Sequence, residues 1–231
     1  MVLPILLWER GPRVSHVTGL FLITGLCGLV DAVCFLSLGE VFAEMMTGNL
    51  LLFSLYVGTG HAILQHPVYP VALGSFVAGA IAGGHIVRSA YGHTRLGFTV
   101  EWLFLALAAV LSLVLPPPSH EAVRETLIAL LAFAMGMQNA LIRRHGVPDL
   151  ATNVMTLTLA ALVADSVLAG GRNERWQRRL GSIGIFMLGA GVGAELTATI
   201  GPSGPLFLAL ALFSVALTGL TRQDMPDRDL P

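Results

Sequence analysis

An acidic residue within an apolar run, and a short polar tripeptide after it, are the first residues whose types and spacing could support chemistry. Asp31 lies in one apolar segment, and Thr47, Gly48 and Asn49 open the next. A carboxylate facing lipid costs about 2.5–3.5 kcal/mol, so we expect Asp31 to face a bundle interior, a cavity or a partner. A Thr-Gly-Asn start places a hydroxyl and an amide at a helix N-terminus, which suits an anion or a carboxylate. Helix capping and helix–helix hydrogen bonding are the alternative role for the tripeptide.

The second half of the chain carries polar residues at comparable places. Gly28 aligns with Gly136 at an offset of 108 residues, and Asp31 then falls on Asn139, which follows Gln138. Two such polar groups would converge between the halves of a symmetric bundle, where a shared site would lie. The candidate solute-binding residues are therefore Asp31, Thr47, Gly48, Asn49, Gln138, Asn139, Thr152, Asn153 and Thr156.

Two intramembrane carboxyl groups are candidates for proton coupling. Asp31 is one, and Glu195 is the other, with the apolar stretch from Leu196 following it. Interior acids of this kind bind and release protons or pair with cationic groups. We expect Glu40 and Glu44, in the loop before the tripeptide, to be solvated.

Composition indicates an all-α polytopic membrane protein. The 231 residues are 55% hydrophobic and 12% charged, with 26 glycines, whereas soluble domains carry about 25% charged residues. The net charge of −1 argues against a nucleic-acid partner, which requires concentrated Lys and Arg. No His/Cys cluster has metal-ligand spacing, and no catalytic or cofactor motif is present in the sequence, so we expect no metal, no cofactor and no enzymatic activity.

Eight apolar segments are candidate spans, measured against the roughly 17–25 residues needed to cross a bilayer. The second and eighth are short, and either could be a tilted, half-spanning or re-entrant piece, so six or seven true spans are an alternative. The segments cover about residues 16–38, 46–60, 68–88, 98–115, 124–142, 152–170, 180–200 and 204–221.

Proline and arginine positions organise these segments. Three prolines at 116–118 stop a helix and divide the chain, which predicts repeats at 16–115 and 124–221. The flanking pieces are an N-terminal cytoplasmic segment at 1–15, a Pro-rich linker at 116–123 and a polar tail at 222–231. With eight spans, nine arginines fall on one side and four on the other, which predicts that both termini lie in the cytoplasm.

The two halves resemble each other in sequence. GSFVAGAIAGGHI at 74–86 and GIFMLGAGVGAEL at 184–196 share five identities in 13 positions at an offset of 110. Gly79, Gly83, Gly189 and Gly193 form small-xxx-small faces that let helix backbones approach closely, and we expect these two faces to pack on each other. Four spans in each half would make the repeats parallel, and three would make them inverted.

Two stretches carry a family resemblance. GLVDAVCFLSLGEVFAEMMTGNLLL (28–52) and AMGMQNALIRRHGVPDLATNVMTLTLAALVAD (134–165) resemble paired signatures of the YoaK family, a group of bacterial inner-membrane proteins of unknown function. The similarity extends over about residues 15–220. It departs at Glu44-Met45-Met46, where a smaller or Asn-like residue is expected. The resemblance implies a multi-span bacterial membrane protein and supplies no substrate.

These patterns favour one functional hypothesis and leave others open. The leading hypothesis is a secondary transporter or exporter of a small solute, with its site between the halves and a proton coupled through Asp31 or Glu195. The alternative is a non-transporting membrane protein that binds lipid or a partner protein. A channel would need a continuous polar stripe, whereas these residues cluster. The lipid bilayer is the expected partner, and a homo-oligomer is left open.

Overall fold

The protein is a bundle of helices. A computed structural model describes residues 14–62, 66–89, 94–115, 121–145 and 155–220. Within these ranges there is no β-strand, so the predicted all-α class is confirmed. A short 3₁₀ turn, Val167–Ala169, follows the sixth helix. The helices are α1 (His16–Ser37), α2 (Met46–Gly58), α3 (Val68–Ser89), α4 (Thr94–Val114), α5 (Glu121–His145), α6 (Met155–Ala164), α7 (Trp176–Ile200) and α8 (Ser203–Leu220).

Helix length separates six spanning helices from two short ones. Among the described residues, α1, α3, α4, α5, α7 and α8 are long and apolar enough to cross a membrane. The short second segment was predicted correctly, since α2 has 13 residues. The eighth segment, for which a half-spanning or re-entrant piece was the alternative, forms a helix of 18 residues that is long enough to span. The second short helix is instead α6, with 10 residues.

Polar contacts attach the C-terminal end of α6 to α7. The helix ends before Asp165, whose carboxylate accepts a 2.7 Å hydrogen bond from Arg179 on α7. The same Arg179 nitrogen donates to the Ala161 carbonyl, also at 2.7 Å. The Ala161 carbonyl also accepts from the Asp165 N–H at 3.1 Å, and the buried Arg179 therefore joins the last turn of α6 to α7. The sequence gives no direct sign of this contact across 14 residues.

The bundle is built around α1 and α5. Helix α1 packs against α7 and α8, while α5 packs against α3 and α4. Helices α4 and α8 also contact each other, and the short helices α2 and α6 pack on α3 and α7 respectively. The central helices α1 and α5 are therefore the most enclosed, and they carry Asp31 and Gln138.

The glycine faces pack on partners other than those expected. Gly79 on α3 lies against the Phe133 carbonyl of α5, and Gly189 on α7 lies against the backbone of Gly25 on α1. Any added Cβ would overlap these backbone atoms, so the helices approach as closely as small residues allow. The prediction that the two glycine faces contact each other is wrong, because the α3 face packs on α5 and the α7 face packs on α1. Gly83 likewise faces α5, and Gly193 faces α1.

The outer surface of the bundle is apolar. Large hydrophobic side chains are exposed on every helix except α5, and hydrocarbon lipid is the environment that suits such a surface. Examples are Leu51 on α2, Leu107 on α4, Leu159 on α6 and Met187 on α7.

Candidate functional site

Asp31 forms hydrogen bonds with the segment between α1 and α2 and does not face an open cavity. Its Oδ1 atom accepts hydrogen bonds from the backbone N–H groups of Ala43 at 2.8 Å and Glu44 at 2.9 Å. Its Oδ2 atom accepts a third, from the N–H of Met45 at 3.2 Å. A buried carboxylate with three N–H donors is well satisfied. Asp31 therefore faces the interior as predicted, and its oxygens are occupied by the protein itself.

The same contacts bring the chain back alongside α1. Asp31 precedes Ser37, the last residue of α1, by six positions, which is roughly 9 Å of helix at 1.5 Å per residue. The segment after α1 therefore folds back by about that distance before α2 begins at Met46. This places Glu44 beside the middle of α1 rather than at its end.

The Thr-Gly-Asn tripeptide shapes this returning segment. The Asn49 Oδ1 atom accepts from the Phe42 N–H at 2.9 Å, and its Nδ2 atom donates to the Phe42 carbonyl at 2.7 Å. Gly48 lies against the Phe42 ring, which a Cβ would approach to 2.9 Å. Thr47 is exposed. Asn49 and Gly48 thus fix the backbone of Phe42, two residues before Glu44.

Glu44 is buried instead of solvated. Its side chain is 6% exposed, and neither carboxyl oxygen has a hydrogen-bond partner. The Cys27 thiol and the Asn139 amide approach the carboxyl without forming hydrogen bonds of normal geometry. Burial, and secondly the nearby Asp31 carboxylate, raise the pKa of Glu44 to about 8. The expectation for Glu44 was wrong because the loop folds back into the bundle, whereas Glu40 on the same loop is exposed.

A third acid, Glu101 on α4, lies near Glu44. Glu101 is 0% exposed, and neither of its oxygens has a partner. It lies near enough to Glu44 for the two charges to interact. The next residue, Trp102, donates to Ser214 Oγ on α8 at 2.9 Å, which fixes the rotation of α4.

Gln138 and Asn139 complete the cluster from α5. Gln138 is fully buried, its Nε2 atom lies 3.1 Å from Cys27 Sγ, and its Oε1 atom has no partner. The Asn139 Nδ2 atom donates to the Met135 carbonyl at 2.9 Å. We refer to the following residues as the acidic cluster: Cys27, Asp31, Glu44, Glu101, Gln138 and Asn139.

The remaining candidate residues lie elsewhere. Glu195 is exposed on α7, so it does not belong to the acidic cluster, and Thr156 is exposed on α6. Thr152 and Asn153 lie outside the described residues. The sequence reasoning overlooked Glu101, although an acid within the predicted span 98–115 is the same signal that identified Asp31.

Comparison with known proteins supports the membrane assignment. A family described as a protein of unknown function, DUF1275, matches residues 19–219. The UPF0700 transmembrane protein YoaK of Bacillus subtilis (strain 168) is 32% identical over 146 residues, which cover 60% of this chain. The matched region spans 61% of the length of that relative. No solved structure matches the chain.

The family match and the six apolar helices lead to the same assignment. The resemblance to the YoaK family is confirmed, and the protein is a multi-pass membrane protein. Because the matched region includes nearly all of the described helices, the chain belongs to the DUF1275 family, whose function is unknown.

Proposed function

We propose that this protein is a secondary transporter or exporter of a small solute, with its binding site in the acidic cluster. One observation carries the proposal: Glu44 and Glu101 are buried, and none of their four carboxyl oxygens has a hydrogen-bond partner. Unsatisfied acids inside a membrane bundle are costly, and they mark ion or substrate pathways. Asp31 serves the site by positioning the Glu44 backbone.

An internal duplication is part of this proposal. The contacts of α1 with α7 and α8 have counterparts in the contacts of α5 with α3 and α4. The pairing of α2 with α3 corresponds to that of α6 with α7. Each half then contributes three spanning helices and one short helix, which favours inverted repeats of the kind found in transporters, with sites at the repeat interface.

The arginine distribution supports six spans and cytoplasmic termini. If α2 and α6 re-enter on the side where they began, twelve of the 13 arginines fall on the side of the termini. By chain order, only Arg124 falls on the opposite side. This asymmetry is stronger than the nine against four obtained with eight spans, and it favours a bacterial inner (cytoplasmic) membrane protein with both termini inside.

A second candidate function is a membrane protein that binds lipid or a partner protein without transport. It is favoured by the three hydrogen bonds that satisfy Asp31, because a tightly packed interior suits a scaffold. It leaves the unpartnered oxygens of Glu44 and Glu101 without a role. For this reason we place it second.

Transport is tested in proteoliposomes that enclose a pH-sensitive dye. A broad metabolite library is first screened for compounds that raise the apparent melting temperature at pH 5.5 and 7.5, since a ligand of the folded state must do so. We expect a stabilising compound to move protons when its gradient is imposed. Glu101→Gln should abolish that signal, and Glu40→Gln, which changes an exposed acid, should retain it. Stabilising compounds that produce no flux would favour the binding protein over the transporter.

A further inference from the structure

The acidic cluster has acceptors in excess of donors. Five buried oxygens have no hydrogen-bond partner: both from Glu44, both from Glu101, and Oε1 of Gln138. Gln138 is uncharged and fully buried, so the surplus of hydrogen-bond acceptors includes an amide oxygen as well as carboxyl oxygens. Buried acceptors normally have donors, and these five therefore define the chemistry of a missing partner.

No basic side chain supplies that partner. In the part of the chain that the structure describes, none of the cluster's three carboxyl groups forms an ion pair with arginine or histidine. Glu44 and Glu101 also repel each other when both are ionised. The cluster therefore needs either protons or an added cation, and its electrostatics disfavour an anion.

We propose that the acidic cluster binds a small organic cation with several N–H donors, a primary ammonium or a guanidinium group, in exchange for protons held by Glu44 and Glu101. The inference rests on the proposed function and specifies its substrate class. Such a cation offers charge and hydrogen bonds together, and the guanidinium fork fits carboxylate pairs. A quaternary ammonium ion has the same charge and no N–H donor.

A metal ion suits these residues less well. Within the described ranges there is no group of three or more His, Cys, Asp or Glu side chains arranged to hold one. Two of the six members of the cluster are amides, and both carboxyl oxygens of Asp31 already accept hydrogen bonds from backbone N–H groups. The surplus acceptors come from three separate segments, which suits a ligand that presents several donors.

Proton exchange balances the charge of the site. A cation that enters between Glu44 and Glu101 releases a proton from a carboxyl group to water, and its departure lets the proton return. Among the described residues, Cys27 and Asp31 on α1 are the ionisable groups that interact with Glu44, and Glu101 interacts with Glu44 itself. Helix α8 has no ionisable residue, and on α3 His85 and Arg88 are exposed while Tyr69 packs on Tyr56 and His66.

The test measures proton release by the purified full-length protein in detergent micelles. The protein is held in weak buffer at neutral pH with a soluble pH indicator, and salts are added at equal millimolar concentration. We expect methylammonium and guanidinium chloride to release protons in a saturable manner. Tetramethylammonium and sodium chloride are the matched controls, and they should release far less because they donate no hydrogen bonds.

Variants locate the effect. Glu44→Gln and Glu101→Gln should each raise the cation concentration needed for half-maximal proton release by about tenfold or more. A tenfold change is equivalent to about 1.4 kcal/mol of binding free energy. Glu40→Gln, an exposed acid on the same loop, should respond as the wild type. Size-exclusion chromatography checks that each variant is folded, and the comparison of salts on the wild type decides the question if a variant is not.

Each outcome bears on the proposal. Absence of release with methylammonium and guanidinium, or equal release with all four salts, overturns the substrate class. Proton release in micelles without flux in proteoliposomes supports the cation site and contradicts the transport function. Flux of a solute that lacks N–H donors, without cation-dependent release, upholds transport and removes the cation site.

Discussion

At the scale of single residues, the two best sequence candidates turn out to support the segment that leads to Glu44. Asp31 gathers three backbone N–H groups, and Asn49 both donates to and accepts from the Phe42 backbone. An amide is required at Asn49, because a carboxylate could accept from Phe42 but could not donate to it.

Asn49→Asp tests this requirement. The change leaves the Phe42 carbonyl without its donor and places a negative charge against it. We expect a loss of stability of about 1–3 kcal/mol, the usual cost of an unsatisfied buried group. The apparent unfolding temperature in detergent measures it, with Thr47→Val as a control at an exposed position in the same turn. Equal stability of the two variants would contradict the assigned role of Asn49.

The raised pKa of Glu44 makes stability depend on pH. Its folded-state pKa of about 8 lies above the ordinary value of 4.5, so the folded state holds the proton more tightly than the unfolded state. The contribution of Glu44 is fully present below about pH 4.5 and is lost as pH rises toward about 8. We expect the melting temperature to fall between about pH 4.5 and 8 and to level off above that range, and Glu44→Gln to flatten that fall. A curve unchanged by Glu44→Gln would show that another group titrates.

Residue types alone identified part of the acidic cluster. Asp31, Gln138 and Asn139 were recognisable because polar groups within apolar segments must turn inward. Glu101 carries the same signal and could have been found in the same way. Glu44 could not, because its burial depends on the loop folding back along α1, which requires hydrogen bonds between residues 12 to 14 positions apart.

At the scale of helices, glycine contacts set the distances between neighbours. Gly79 on α3 lies directly against the Phe133 carbonyl, whereas Gly74 on the same helix has no atom near its Cβ position. The two glycines therefore form a matched pair, one in a helix interface and one on the outer surface.

Gly79→Ala and Gly74→Ala should differ sharply. The first forces α3 away from α5, and overpacking of this kind costs about 1–3 kcal/mol or more. The second adds a methyl group to an open face and should change stability by less than about 0.5 kcal/mol. Thermal unfolding followed by size-exclusion chromatography separates them. Comparable losses for both substitutions would mean that the α3–α5 contact does not limit stability.

The sequence predicted that these glycines matter and missed which helices they join. Small-residue spacing identifies a packing face, but it carries no information about the partner. The length of α6 was missed for a related reason. The apolar pattern continues through the 3₁₀ turn at Val167–Ala169, and the Arg179 contacts at the end of the helix join residues 14 and 18 positions apart.

At the scale of the whole molecule, the six-span arrangement and the eight-span alternative place two loops on opposite sides of the membrane. In the six-span arrangement, Thr59 and Ser119 face outside. In the eight-span arrangement, both face the cytoplasm. With the proposed cytoplasmic termini, Arg172 is cytoplasmic in either arrangement, so it serves as an internal reference.

Cysteine labelling in intact cells distinguishes the two arrangements. Single cysteines are introduced at Thr59, Ser119 and Arg172 in a protein whose native Cys27 and Cys34 are replaced. We expect a membrane-impermeant maleimide to label the first two positions and to leave the third unlabelled until the membrane is permeabilised. Protection of Thr59→Cys and Ser119→Cys in intact cells would restore the eight-span arrangement.

The crossed packing of the central helices also constrains how such a chain can be assembled. Because α1 relies on α7 and α8, while α5 relies on α3 and α4, the first four helices synthesised do not enclose their own centre. During synthesis, the glycine face of α3 therefore stays without its partner in the bilayer until α5 has been inserted. Two separately expressed halves would therefore fold poorly when expressed alone and should stabilise each other when expressed together.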